Sequence, residues 1–439
     1  MVGLIERRVI ERIAPSKQEH EDYERIVLKF KRKLKRASNK LDLKCDFFIG
    51  GSFGKNTYLK DNFDVDIFCR FDLSYDDDKL SKYLEAILSK ANLKYKIQKG
   101  SRDYFTVSFG PRGKKILFEV IPNRKIKNLD DMLNSTDVSP LHVEFIKSKV
   151  IENPVLPNQI RLAKQFFKAK GLYGAESYIN GFSGHSIDLL IAYFGTLENL
   201  IKSAKTWEER TFIDICSFYN DSDEAFKSIG DDKVSNLVLI DPIIKNRNAS
   251  RALNNEKYCE FLLIANNFER FEEKDFIVLK PNAEEIISDV KQFSKENNLN
   301  FLIYRFKIAV KNESEDIVGS KMLKLFHKTM DFYESYDFEI FREDFFIDIS
   351  KGVCLFIFLF EKKSLPLIKK IVGPKAYMKE AVIAFLKGRD RYFIEESRVC
   401  VYEKRVVEKI SNISNISVED FQRMLNKDIS FVKSVRIIK

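Results

Sequence analysis

Tyr23, Ile26, Val27, Phe30 and Leu34 recur at helical spacing and predict a long helix that turns one apolar stripe to a core. Ser16 and Glu19 supply the capping box that starts it, and Pro15 keeps any earlier helix from running through. The apolar period then shortens. Segments 45–49 and 63–68 read as strands separated by Gly50, Gly51 and Ser52; further strands are expected at 94–99, 105–109 and 115–121, with a helix over 78–91. This first region is therefore a compact α+β domain. Pro154 and Pro157 bracket a connector, the best boundary in the first half. Beyond it Ile160, Ala163, Phe166 and Phe167 line a helix ending at Gly171, and segments 187–193 and 198–205 continue in helical period. Strands return at 301–310, 345–349 and 353–360, the last two joined by a hairpin at Ser350, Lys351 and Gly352, with helices over 320–333 and 375–386. The C-terminal third is another α+β region.

The chain has 439 residues, enough for about three domains of ordinary size, and its 44% hydrophobic content excludes wholesale disorder. Lys and Arg number 75 against 65 Asp and Glu, a net charge of +10 that favours a polyanionic partner: RNA, DNA or anionic lipid. The longest apolar run, 353–360, is far short of the roughly 18 residues that cross a bilayer, so no transmembrane role is expected. Glu6, Arg7 and Arg8 interrupt any apolar leader, and a cytoplasmic location is expected. Six cysteines without CxxC spacing argue against a zinc ribbon or a disulfide framework and for reduced thiols. The basic run Lys29, Lys31, Arg32, Lys33, Lys35 and Arg36 reads as a solvated helix face.

The chemistry concentrates between Gly50 and Phe68. Asp64 and Asp66 are two apart on a strand and share a face, while Phe63, Val65 and Ile67 point the other way. Adjacent carboxylates repel unless a cation neutralises them, and hard oxygen ligands suit Mg²⁺. Gly51 allows a close backbone approach, and Ser52 can open a short helix whose free N–H groups attract phosphate. A third acid, Glu119, follows on a later strand. Gly-Ser turns and Asp-x-Asp pairs are each common decoration; a phosphate turn plus three acids is the pattern of a two-metal nucleotidyl-transfer site.

Here the chain resembles the polymerase-β-like nucleotidyltransferase superfamily, and more narrowly the archaeal, class I CCA-adding enzymes, the tRNA nucleotidyltransferases. The closer resemblance rests on residues 56–60, Arg161 to Lys164, 171–176, 181–184, Asp241-Pro242 with Arg247-Asn248, and Val372-Gly373-Pro374, which keep their order along the chain. Two departures stand out. Asp64 leads the pair and Glu119 comes third, where the family often has Glu leading and Asp third, and Lys55 stands where Arg is common. The first changes reach by one methylene; the second keeps charge but loses the bidentate fork.

The resemblance implies an α+β multidomain fold: a nucleotidyltransferase catalytic head over 1–150, with a mixed or antiparallel sheet and helices; a helical neck over 151–270 that contacts base and triphosphate; a body over 271–315 and 395–439; and a tRNA-binding tail over 316–394. It implies template-independent addition of CCA to the tRNA 3′ end from CTP and ATP, with pyrophosphate released. Asp64, Asp66 and Glu119 would be the catalytic metal ligands for two Mg²⁺ ions. Gly51, Ser52, Lys55, His142, Lys164 and Tyr173 would hold the nucleotide, and Arg247 would select its base. Without the resemblance His142 reads as structural, Lys164 as a solvated helix position, Tyr173 as core packing and Arg247 as a surface salt-bridge partner of Asp241 or a neighbouring acid. The expected partner is tRNA, held at acceptor stem and elbow through backbone shape, and family members are often dimeric, which leaves a homodimer open by analogy. Two other functions share these residues: a poly(A) polymerase or oligoadenylate synthetase, which would use ATP alone, and a catalytically silent RNA-binding protein.

Overall fold

Ser16 caps its helix as expected: its hydroxyl accepts the Glu19 N–H at 3.3 Å, and the Glu19 carboxylate accepts the Ser16 N–H at 2.9 Å. The computed structural model describes residues 3–60, 63–230, 233–279, 281–309, 314–426 and 429–439. These fall into two units, Met1–Leu279 and Lys280–Lys439.

The first unit opens with α1 (Leu4–Ile13) and α2 (Lys17–Lys40), followed by β1 (Cys45–Ile49), the single turn α3 (Gly51–Gly54), β2 (Val65–Phe71), α4 (Leu80–Lys90), β3 (Lys96–Gln98), β4 (Tyr104–Phe109) and β5 (Ile116–Arg124). The strands form one mixed sheet in the order β1-β2-β5-β4-β3, in which only β2 and β5 run parallel. Alternation decides its faces. Val65, Ile67, Phe105, Val107, Phe118 and Val120 are buried in one core with Val27, Phe30 and Leu34 of α2, and Phe30 stacks on Phe118 at 4.1 Å between centroids. Fully burying each such side chain contributes about 1.5–3 kcal/mol. The intervening residues, Asp66 and Glu119 among them, therefore project from the other face.

Helices follow: α5 (Ser139–Glu152), α6 (Leu156–Ala169), α7 (Gly184–Phe194) and α8 (Leu197–Ala204), then β6 (Thr211–Ile213), α9 (Ser222–Ile229), β7 (Leu237–Leu239) and α10 (Asn255–Asn266). The connector between α5 and α6 is shorter than the two prolines suggested. Pro157 lies inside α6, in its first turn, where a missing N–H leaves no hydrogen bond unmade.

The second unit contains α11 (Ala283–Glu296), β8 (Asn300–Ile308), α12 (Glu315–Ser335), β9 (Arg342–Asp348), β10 (Val353–Phe360), β11 (Ile368–Lys375), α13 (Lys379–Leu386), β12 (Phe393–Glu395), β13 (Arg398–Lys404), α14 (Val418–Leu425) and β14 (Val432–Ile438). Val310, expected at the end of β8, lies outside the described residues. One four-stranded antiparallel sheet runs β14-β8-β10-β9 and a separate three-stranded sheet runs β11-β13-β12. Strands β9 and β10, which fall within the segment expected as tail, thus share a sheet with β8 and β14 from the segments expected as body. The hairpin at 350–352 forms as its residues suggested, with Gly352 at φ +67°. The helix expected over 375–386 starts only at Lys379, because Val372, Gly373 and Pro374 belong to β11.

Among the described residues no helix is long and apolar enough to cross a membrane. All six cysteines are free thiols, four of them buried.

Candidate active site

Parallel pairing of β2 with β5 sets Asp66 directly beside Glu119. Asp64 stands at the mouth of β2, and all three acids are half-buried. Burial pushes the Asp66 carboxyl up to about 7, with repulsion from Asp64 and Glu119 adding to it and the Lys55 ammonium opposing. Glu119 is likewise pushed up to about 7, first by burial and then by Asp64. This is the electrostatic condition of acids whose burial and mutual repulsion outweigh the nearby ammonium. Hard oxygen donors that repel one another in this way fit divalent cations. The same three acids, after burial, raise Tyr104 of the adjoining strand.

Gly51 explains how the turn comes so close. Its φ is +57°, and a Cβ there would lie 1.6 Å from Asp66 Oδ2, so no other residue fits beneath the carboxylate. The Gly50 N–H donates to the Asp66 carbonyl at 2.8 Å, tying the turn to β2. Ser52 follows in the short turn, half-buried.

Arg161 on α6 fastens the next stretch: its guanidinium donates to the carbonyls of Tyr58 at 2.9 Å and Asn56 at 2.7 Å. Lys164, one turn further, is buried and places Nζ 2.9 Å from Asp188 Oδ1 and 3.1 Å from Thr57 Oγ1. Lys55 bonds the other oxygen of the same Asp188 carboxylate. Two ammonium groups therefore share one wholly buried acid. Burial alone would raise Asp188, and the two lysines outweigh it and hold the carboxyl below its ordinary range. Burial lowers Lys164 to about 8; Asp188 opposes this and Lys55 adds to it.

Tyr173 stands half-buried after α6, in a bridge to Phe182, with the Lys168 ammonium 4.9 Å from its ring centroid. Burial, then the charges of Asp188, Glu176 and Asp64, drive its hydroxyl pKa up. His142 on α5 is buried, its Nε2 at 2.8 and 3.0 Å from the two Asp241 oxygens. Arg247 donates from NH1 to Asp241 Oδ2 at 3.1 Å, and 41% of its side chain stays exposed. The structure thus gathers the expected residues other than Tyr173 into two groups. Gly51, Ser52, Lys55, Lys164 and the acids surround the turn, while His142 and Arg247 meet at Asp241.

Asp188 and His185 were not singled out from the sequence. Both lie on α7, amid Ile187, Leu189, Leu190 and Ile191. A lone acid within such an apolar run signals a buried charge that must have a partner; the partners themselves come from elsewhere in the chain.

Three family profiles match the chain: "Nucleotidyltransferase domain" over residues 29–126, "tRNA nucleotidyltransferase, second domain" over 158–278, and "CCA-adding enzyme, C-terminal domain" over 302–436. A CCA-adding enzyme of Nanoarchaeum equitans is 31% identical over 352 residues, covering 80% of this chain and 81% of its own. A CCA-adding enzyme of Methanococcus maripaludis is 28% identical over 436 residues, covering 97% of this chain and 93% of its own. Among solved structures, a Cid1 poly(U) polymerase aligns with a TM-score of 0.48 at 13% identity, over 59% of this chain and 90% of that one.

Proposed function

The chain belongs to the CCA-adding enzyme family of tRNA nucleotidyltransferases, and from that premise we propose how its own residues perform the reaction. The enzyme adds C, C and A to the 3′ end of tRNA from CTP and ATP. The observation that carries the mechanism is the register of Asp66 beside Glu119 above the Gly51 turn.

Asp64, Asp66 and Glu119 would hold two divalent cations, with Mg²⁺ favoured by an all-oxygen donor set. When bound, such ions acidify the attacking 3′-hydroxyl and neutralise the phosphates of substrate and departing pyrophosphate. No covalent enzyme intermediate and no histidine base are needed. The chain's own part is orientation. Gly51 leaves room for the Asp66 carboxylate; the Ser52 hydroxyl and the turn's N–H groups face the triphosphate. Lys55, one N–H committed to Asp188, keeps others for phosphate. His142, Lys164 and Tyr173 complete the triphosphate pocket, Lys164 supplying its charge from behind the turn.

Arg247 faces the base. Cytosine and adenine both offer an acceptor nitrogen beside an amine donor, whereas uracil and guanine put an N–H where that acceptor should be. An arginine donor left unpaired against UTP or GTP costs about 1–3 kcal/mol. In this division residues 1–150 form the catalytic head and 151–270 the neck, and the remainder, body and tail, holds the acceptor stem and elbow of tRNA. A homodimer belongs to the same proposal by analogy with the family.

The deciding experiment offers a tRNA that ends before its CCA, with each labelled nucleoside triphosphate in turn. Incorporation of C and then A, without U or G, is expected. Incorporation of A alone would turn the assignment to a poly(A)-type enzyme.

Lys164 makes a second expectation. With an ammonium held near 8, kcat/KM for CTP should fall as pH rises through about 8, since the free enzyme then loses a positive charge from the phosphate pocket. The limb in kcat should lie higher, because bound triphosphate favours the protonated form. A kcat/KM profile flat to pH 10 would remove Lys164 from the pocket.

A further inference from the structure

Asp241 lies just beyond β7 with its side chain wholly buried. Its Oδ1 accepts the N–H groups of Ile243 at 2.9 Å and Ile244 at 3.1 Å and stands 2.8 Å from His142 Nε2. Its Oδ2 accepts Arg247 NH1 at 3.1 Å and lies 3.0 Å from the same His142 nitrogen. The Asp241 N–H donates back to the Arg247 carbonyl at 3.0 Å, so the loop 241–247 is closed twice, once by backbone and once by carboxylate. Directly after it, the Asn248 side-chain carbonyl accepts the N–H groups of Leu239 and Ser250 and fixes the loop's exit.

We infer that Asp241 is a positioning residue for base choice: one buried carboxylate ties Arg247, at the base end of the nucleotide, to His142, at the phosphate end. This rests on the roles proposed above for those two residues. Both sequence readings of Arg247 then hold at once. One N–H is spent on the salt bridge, which anchors the NH1 end and leaves the exposed edge available to a base. A free arginine, which only donates, could swing to the carbonyl oxygen that uracil or guanine also offers; a tethered one cannot follow it and so rejects those bases.

His185 adds a second imidazole, Nε2 3.7 Å from Asp241 Oδ2, and the ligand atoms of His142, His185 and Asp241 lie within 4.8 Å of one another. A metal centre is nevertheless disfavoured there. Both carboxylate oxygens are already engaged, and Arg247 would bring its positive charge against the ion. Burial holds His185 down at about 4, so near neutral pH it packs against His142 as a neutral ring, centroids 4.4 Å apart.

Asp241→Asn is the test. The Asn carbonyl can still accept the Ile243 and Ile244 N–H groups, but its amide then opposes the Arg247 N–H, donor against donor, so the loop persists while the arginine is released. On a tRNA ending before its CCA, the ratio of kcat/KM for CTP to that for UTP should fall about tenfold, the loss expected for one charge-assisted hydrogen bond. In an Arg247→Ala background, Asp241→Asn should change the ratio no further. His142→Gln gives an independent arm should Asp241→Asn fail to fold: it should lower the same ratio about threefold, although the imidazole stands at the phosphate end. A folded Asp241→Asn protein with the wild-type ratio overturns the inference, as does a His142→Gln protein that weakens all nucleotides equally. Stoichiometric zinc that survives dialysis against a chelator overturns it too. A wild-type enzyme that adds A alone overturns the proposed function first, and this inference with it.

Discussion

Replacing Asp64 and Asp66 together by Asn should lower nucleotide addition about 10³-fold or more, the scale of several kcal/mol of transition-state charge stabilisation. Asn keeps the size and removes the charge, so binding of tRNA, which draws on dispersed Lys and Arg, should change little. Stability separates this loss from misfolding. Asp66 and Glu119 titrate near 7 in the folded chain, whereas an unfolded carboxyl titrates near 4. Between those values the folded chain binds more protons, so the acids' contribution to stability falls as pH rises through the window. At pH 8, without divalent ions, Asp66 and Glu119 are charged and repel, and the double Asn variant should melt no lower than wild type. A single-turnover rate with labelled CTP, tRNA affinity by filter binding and a melting curve read the three effects. An unchanged rate would end the catalytic assignment, and a lowered melting temperature would make the rate loss uninformative about chemistry.

The acids were legible because their signal is local. Alternation over 63–68 places Asp64 and Asp66 on one face without reference to anything else, and the Ser16 capping box and the Gly352 hairpin are equally local. The register that sets Glu119 beside Asp66 is a different kind of fact. It depends on a parallel pairing between strands far apart in sequence, and no pattern within either strand specifies a partner's offset. The end of the Glu119 strand is equally non-local. A strand expected to stop at 121 runs to Arg124, because pairing with β4 ends at Val120 and Pro122 has only β2 beside it; a proline without an N–H is tolerated where one side of the strand is unpaired.

Lys164 shows what periodicity misses. On α6 a lysine between Ala163 and Phe166 reads as a solvated position, and it is buried because the 55–58 turn and Asp188 of α7 close over that face of the helix. Lys55 was expected to hold the nucleotide, and the structure gives it a buried acid as partner. Charge of this kind is readable as a need, one acid within an apolar helix and two lysines elsewhere, but the pairing among them is set by tertiary packing.

That pairing has the largest expected effect on stability. Asp188→Ala would leave the Lys164 ammonium buried with no counter-charge, its remaining polar partners the hydroxyl and carbonyl of Thr57, and Lys55 unpaired beside it. Breaking a buried ion pair on one side typically costs about 3–5 kcal/mol, because the remaining charge keeps its desolvation penalty and loses its compensation. Lys164 has an escape: without Asp188, the one group that holds its pKa up, it should shed its proton at lower pH. The loss of stability should accordingly be greatest at acid pH, where the ammonium persists, and smaller above pH 8. Replacing both partners, Asp188→Leu with Lys164→Met, should cost much less than Asp188→Ala alone, since no buried charge then remains between them and Lys55, 11% exposed, can turn to water. Denaturant unfolding of the three proteins at pH 6 and pH 9 measures the difference. If the double variant is as unstable as the single one, shape at this junction matters more than charge, and Asp188 is a packing residue rather than the counter-ion of the phosphate pocket.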